Sequence, residues 1–265
     1  MTLFVLDSIF VFVLGTIFGS FFNVCIHRLP REESILWPSS RCPACRKPIA
    51  WYDNVPILST LLLRGRCRSC GARFTPRYFI VEFVTGCFYV WIWFYFGWEV
   101  KGFISAALFS LLLIATVVDL EHQIIPDEIS LGGLALGFLL SAIFPSSLHG
   151  EVVWWRGLLD ALIGMLVGGG TIYLTGVIGS FIFRKDAMGG GDVKLLAMLG
   201  AFLGWQKVIL VYVLSPVLAL PIGLFLKFTK GAQVIPFGPF LSLAGWLAFL
   251  WGDSFILWYF HGMKF

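Results

Sequence analysis

Eight apolar runs dominate this chain, and they leave it few possible folds. They lie at roughly 2–22, 80–98, 103–118, 129–146, 157–182, 193–205, 208–226 and 236–258. A helix needs about 20 apolar residues to cross a bilayer. Inside hydrocarbon every backbone N–H and C=O must be bonded within the protein, so only helices and closed barrels can span it. The runs do not alternate with period two, which argues against a barrel. The pattern therefore reads as an all-α polytopic membrane protein with about eight transmembrane helices. Charged residues make up 13% of the chain, against about 25% in a typical soluble domain. The 27 Phe and 11 Trp suit lipid contact and interfacial belts. The 193–205 run is short for a span, which implies a tilted helix or one whose ends lie in a cavity. The run Thr2–Phe22 lacks a basic leading segment and continues directly into Asn23-Val24, so it reads as a retained first span and not a cleaved signal.

Charge placement sets the expected orientation. Of 19 Lys and Arg, ten lie between Arg28 and Arg77. With 23–79 in the cytoplasm and strict alternation after it, fifteen basic residues fall on the cytoplasmic side. Four (Lys101, Arg156, Lys207 and Lys264) fall on the other side. The positive-inside rule favours this orientation, with both termini outside. The division that follows is a first span at 1–22, a cytoplasmic module at 23–79 and a membrane domain at 80–265. Small residues recur four apart at Gly15/Gly19, Gly133/Gly137, Gly164/Gly168 and Gly200/Gly204, the pattern of close helix crossings. No internal repeat is evident.

The 23–79 segment carries Cys42-Pro-Ala-Cys45 and Cys67-Arg-Ser-Cys70. Two C-x-x-C knuckles at this spacing match a tetrahedral zinc site with four thiolates. Four protein ligands leave no open position, so the metal is expected to be structural. Two disulfides are the competing reading, disfavoured in a reducing cytoplasm. The segment has few large apolar residues, so metal binding is expected to supply much of its folding free energy. Cys25 and Cys87 lie near or within apolar runs and read as buried small residues, not ligands.

Two carboxylates stand out at the cytoplasmic membrane face. Asp119 ends the third run, and Asp192 follows Gly189-Gly190-Gly191 at the start of the sixth. Ionisable groups at such a depth are costly and mark function by default. Brought together, two carboxylates repel and can hold one proton between them. The ionised member then activates water while the protonated member polarises a peptide carbonyl. The glycines before Asp192 offer close backbone approach and dihedrals closed to other residues. The blander alternatives are a helix-capping Asp192 and a solvated Asp119. Asp127, after Pro126, reads as the cap of the fourth helix. Glu121, Glu128 and Asp186 read as solvated, with the capacity to attract a basic substrate segment. His122 reads as interfacial, since no second His stands at metal-binding spacing. No G-x-S-x-G nucleophile elbow is present.

These residues together resemble the bacterial type IV prepilin peptidases, over nearly the whole chain. The resemblance rests on Gly19-Ser20-Phe21-Phe22-Asn23-Val24, His27-Arg28-Leu29-Pro30, both cysteine knuckles and Trp51-Tyr52-Asp53-Asn54-Val55-Pro56. It continues through Arg77-Tyr78 with Glu82, Asp119 with Ile125-Pro126-Asp127, and Gly189-Gly190-Gly191-Asp192-Val193-Lys194. Phe79 departs from it, standing where a proline is expected. The resemblance implies a polytopic aspartic peptidase of the bacterial inner membrane, with Asp119 and Asp192 at the catalytic positions. The implied substrates are prepilins and pseudopilins, cut between a short basic leader and an apolar helix. It also implies N-methylation of the new N-terminal residue, usually Phe, with S-adenosylmethionine as donor. No Rossmann-type glycine fingerprint occurs, and the 23–79 segment is the preferred donor region. The expected partners are the pilin substrate and membrane lipid, with no nucleic acid. Two alternatives stay open: a Gly-x-Gly-Asp intramembrane protease of other membrane proteins, and a non-enzymatic zinc-stabilised scaffold or transporter.

Overall fold

The computed structural model describes residues 2–184, 188–230 and 235–262. Each of the eight apolar runs forms a helix, and two short helices lie between them. In chain order these are α1 (Thr2–Arg28), α2 (Leu58–Leu62), α3 (Arg77–Phe96), α4 (Val100–His122), α5 (Asp127–Ile143), α6 (Pro145–His149), α7 (Trp154–Phe183), α8 (Gly190–Leu203), α9 (Trp205–Lys230) and α10 (Gly238–Gly262). Six of them, α1, α3, α4, α7, α9 and α10, are long and apolar enough to cross a membrane. The other two of the eight, α5 and α8, have 17 and 14 residues. The chain is a multi-pass membrane protein. It divides into two compact units, residues 1–110 and 111–265.

In the first unit α1 packs along α3, and glycine sets the distance. A Cβ on Gly15 would lie 2.8 Å from the Gly86 Cα, and one on Gly19 would lie 2.7 Å from the Glu82 Cα. The Gly15/Gly19 pair is thus a close helix crossing, as its spacing predicts. Between Pro30 and Ile80 only Cys42 is buried. A segment with so little apolar burial cannot offset its chain entropy by packing alone. Cys25 is buried in α1 as expected, but Cys87 is exposed. An exposed position on an apolar helix is one where a small apolar thiol suits lipid.

In the second unit α8 is the central element. Leu195, Leu196 and every residue from Met198 to Leu203 are buried, and α5, α7, α9 and α10 all pack against it. This explains its length: a helix enclosed by other helices need not match the thickness of the bilayer. Gly164 of α7 and Gly200 of α8 meet so closely that a Cβ on either would overlap the other's carbonyl. Gly133 and Gly137 of α5 face Met198 and Phe202 of α8. Gly204 closes α8 with φ +77, a left-handed stop that glycine adopts without steric cost.

Candidate active site and four-cysteine centre

The two knuckles have the same backbone structure 25 residues apart. Cys42 N–H bonds Lys47 O at 3.0 Å and Arg46 N–H bonds Cys42 O at 2.8 Å; Cys67 N–H to Ala72 O and Gly71 N–H to Cys67 O are both 2.8 Å. Each hairpin is closed by one bridge, Arg41 with Pro48 and Arg66 with Arg73. Arg46 and Gly71 take the same left-handed turn position, φ 58 and 72. This is a local repeat that the sequence reading did not recognise. Its signal was available, because Arg-Cys-x-x-Cys recurs, but most other side chains differ while the hydrogen-bond pattern is shared.

All four Sγ atoms lie within 4.8 Å of one another, and Cys42 and Cys70 are 3.8 Å apart. Thiolates at about 2.3 Å around a tetrahedral zinc stand about 3.8 Å apart, so the cluster has the dimensions of such a site. None of the four cysteines is in a disulfide, and the dimensions of the cluster favour a metal site over two disulfides. Backbone N–H groups of Cys70 and Ser69 draw the Cys67 thiol down, while partial burial and sharing the cluster with Cys45, Cys67 and Cys42 hold Cys70 up. Asp53 joins the second knuckle to the 51–54 helical turn. Arg68 clasps its carboxylate through Nε and Nη2 at 2.6–3.0 Å, and this hydrogen bonding holds Asp53 below the usual carboxylate range.

In the second unit three stretches converge on Asp119. The α4 helix carries it near its C-terminal end, where it is 5% exposed. It is therefore not a solvated helix-end residue. The Gly238 N–H, at the start of α10, donates to Asp119 Oδ2 at 2.8 Å. A Cβ on Gly238 would lie 2.7 Å from that same oxygen, so only glycine fits there. Asp192 sits half-buried in the first turn of α8, close enough to Asp119 for their charges to interact. It does not cap the helix, because α8 has no side-chain cap and Gly189 occupies the N-cap position.

The glycines before Asp192 work by proximity and not by unusual dihedrals. Gly189 is extended at φ −72, and none of the three has a positive φ. A Cβ on Gly189 would stand 3.3 Å from Asp192 Oδ2, and one on Gly191 would stand 3.1 Å from the Ile125 Cβ. The turn after Asp119 and the turn before Asp192 are therefore in contact.

Asp127 does not cap α5. Pro126 takes the N-cap position, with no side-chain cap, and Asp127 instead pairs with Lys194 Nζ at 2.6 Å. The cause is a shift of one residue: the extended backbone required of a cap falls on the proline. Glu121 and Glu128 are exposed, as expected. Asp186 lies outside the described residues. The sequence reading missed Gly238; its only local signal is the Phe237-Gly238-Pro239 break ahead of the last apolar run.

The fold and the site thus define a multi-pass membrane protein with a four-cysteine cluster in one unit and two neighbouring aspartates at helix ends in the other. Residues 13–96 match the bacterial peptidase A24 N-terminal domain and residues 106–224 match the type IV leader peptidase family. The chain is 35% identical to a protein of Stutzerimonas stutzeri, over 91% of this chain and 90% of that one. It is 37% identical to one of Aeromonas hydrophila, over 94% and 92%. A Myxococcus xanthus protein is 37% identical over 85% of this chain and 65% of its own length. Each of the three bears the name prepilin leader peptidase/N-methyltransferase. No solved structure matches. The chain belongs to the type IV leader peptidase family, and is a membrane peptidase and not a non-enzymatic scaffold.

Proposed function

We propose that this protein removes the short basic leader from type IV prepilins and pseudopilins, with Asp119 and Asp192 as its catalytic dyad. It then methylates the new N-terminal residue with S-adenosylmethionine. The observation that carries the peptidase reading is the buried Asp119 carboxylate, pinned by the Gly238 N–H beside Asp192. The reaction takes place at the cytoplasmic face of the inner membrane. The 1–22 span leads there into the 23–79 zinc module, and 80–265 supplies the peptidase domain.

One aspartate is ionised and takes a proton from water, whose oxygen attacks the scissile carbonyl. The other is protonated and donates to the carbonyl oxygen as charge develops there. Collapse of the tetrahedral intermediate breaks the C–N bond, and the proton taken from water passes to the departing amine. Because Gly238 fixes Asp119 Oδ2, the other oxygen of Asp119 remains to meet the water. Cys42, Cys45, Cys67 and Cys70 would hold a structural zinc as its four ligands, and the peptidase chemistry is carried by the aspartates alone. The fit of this reading to the methyl donor rests on the first unit. A cavity of about 590 Å³ there is lined by Asp53, Asn54, Phe74 and Tyr78 among others, offering acceptors for hydroxyl and amino groups and rings for a purine face. The donor supplies an electrophilic methyl group, and the protein's part is to hold a neutral amine in line with it.

Asp119→Asn and Asp192→Asn test the peptidase reading. Each is expected to cut prepilin cleavage at least about a thousandfold with normal expression and metal content. Full cleavage by either variant removes that residue from the mechanism. The intramembrane-protease alternative shares the dyad but gives the cysteine module no task.

A further inference from the structure

The first unit contains a second cavity beside the one assigned to the methyl donor. It has about 650 Å³ and is lined by Phe12, Val13, Ile17 and Phe21 of α1 and by Pro56 and Leu58 among others. Ser20, Val24, Asn54 and Val55 line both cavities, so the two adjoin. The first is the more polar of the two, and two buried polar side chains, Glu82 and Asn23, line it and not the second.

The first is Glu82 of α3, 6% exposed. Its Oε2 accepts the Ile57 N–H at 2.8 Å, and the Ser20 hydroxyl is a further hydrogen-bond partner. Ile57 lines the apolar cavity and is held at φ 61, a conformation a β-branched residue rarely takes. Among the described residues no basic side chain pairs with Glu82. The second is Asn23 of α1, 2% exposed. Its amide Nδ2 donates to Tyr78 O at 2.9 Å, and its Oδ1 has no partner. A buried carboxylate without a cation and a buried amide oxygen without a donor are both costly. Both side chains line the same cavity, and a cationic N–H group is the kind of donor that each lacks.

We propose that the two cavities form one site for the N-terminus that cleavage creates: its apolar residues lie along α1, and its α-ammonium meets Glu82 and Asn23. An ammonium carries three donors and no acceptor, which matches a carboxylate, an amide oxygen and a hydroxyl. The apolar side chains that follow the cut match the α1 face. The proposal rests on the leader-peptidase reading for the identity of this occupant. It accounts for the order of the two activities, because before cleavage the same nitrogen is a neutral amide and carries no charge for Glu82. Glu82 is also placed to accept the proton that the ammonium must lose to become a nucleophile, and to release it afterwards to water.

The test is a binding measurement that needs no methyl donor. Full-length protein in detergent receives a fluorescent peptide that begins with Phe, continues with apolar residues, and has its α-amine either free or acetylated. The free amine is expected to bind about tenfold tighter or more than the acetylated form. Equal binding of the two peptides by the unaltered protein overturns the proposal, without any variant that must fold. Glu82→Gln, nearly isosteric and checked by its thermal unfolding, is expected to abolish the preference by weakening only the free-amine peptide. A merely structural Glu82 would weaken both peptides alike, and that result also overturns the proposal. S-adenosylhomocysteine is measured on the same variant and is expected to bind unchanged. Its loss with the peptide preference intact would assign Glu82 to the donor's own amino group and overturn the proposal. Because none of these readouts requires turnover, absence of methylation would count against the methyltransferase reading alone.

Discussion

Gly238 and Asp119 are 119 residues apart, yet the backbone N–H of one fixes the carboxylate of the other at 2.8 Å. A methyl group at Gly238 would have to displace Asp119 Oδ2. Misplacement of a catalytic group by about 1 Å can cost about a hundredfold in rate. Gly238→Ala is therefore expected to lower kcat for prepilin cleavage about a hundredfold, leaving KM and metal content near normal. Steady-state kinetics on the purified variant checks this. Sequence reasoning finds Asp119 and Asp192 because each is a charge placed where an apolar run meets polar chain, which is a local signal. It does not find Gly238, whose role exists only once α10 is docked. Asp127 marks the same limit on a smaller scale. Composition makes it a cap, but the turn lets Pro126 take that position and frees Asp127 to meet Lys194.

At the scale of elements, the eight helices are legible because length and hydropathy are local properties. The enclosure of α8 is not, because a short, mostly apolar run reads alike whether it faces lipid or other helices. Its contact with α7 passes through Gly164 and Gly200 with no space for a side chain on either. Gly200→Leu should destabilise the second unit by about 3 kcal/mol or more, seen as loss of monodisperse protein on size-exclusion chromatography. The first unit should respond differently, since its knuckles bury little beyond Cys42. X-ray absorption is expected to give one zinc per chain with four sulfur ligands at about 2.3 Å. Chelation should expose the 23–79 backbone to hydrogen exchange before cleavage falls. Freshly reduced protein without zinc would contradict this account of the centre.

For the whole molecule, the asymmetry of charge joins topology to substrate choice. Basic residues crowd 23–79, while Glu121, Asp127 and Glu128 follow Asp119 closely in the sequence and Asp186 precedes Asp192. In the proposed function, a basic leader held beside these acidic residues would place the scissile bond where the substrate's apolar helix enters the bilayer. Attraction between exposed charges is screened over about 8–10 Å at ordinary ionic strength. Neutralising Glu121, Glu128 and Asp186 together should raise KM at low salt and leave kcat nearly unchanged; an unchanged KM would mean that the leader's charge is read elsewhere. The expected orientation rests on counting basic residues along the sequence. The convergence of α4, α8 and α10 on one pair of carboxylates is a product of folding and is legible only in the structure. The central claim, a single chain that cuts prepilin and then methylates the new N-terminus, is tested most directly by the mass of the product. Purified protein is incubated with a prepilin, with and without S-adenosylmethionine, and the product N-terminus is read by mass spectrometry. The account predicts one cut between the basic leader and the apolar helix in both reactions, and one added methyl group on the new N-terminal nitrogen only when the donor is present. An intact leader, or a cut within the apolar helix, would contradict it.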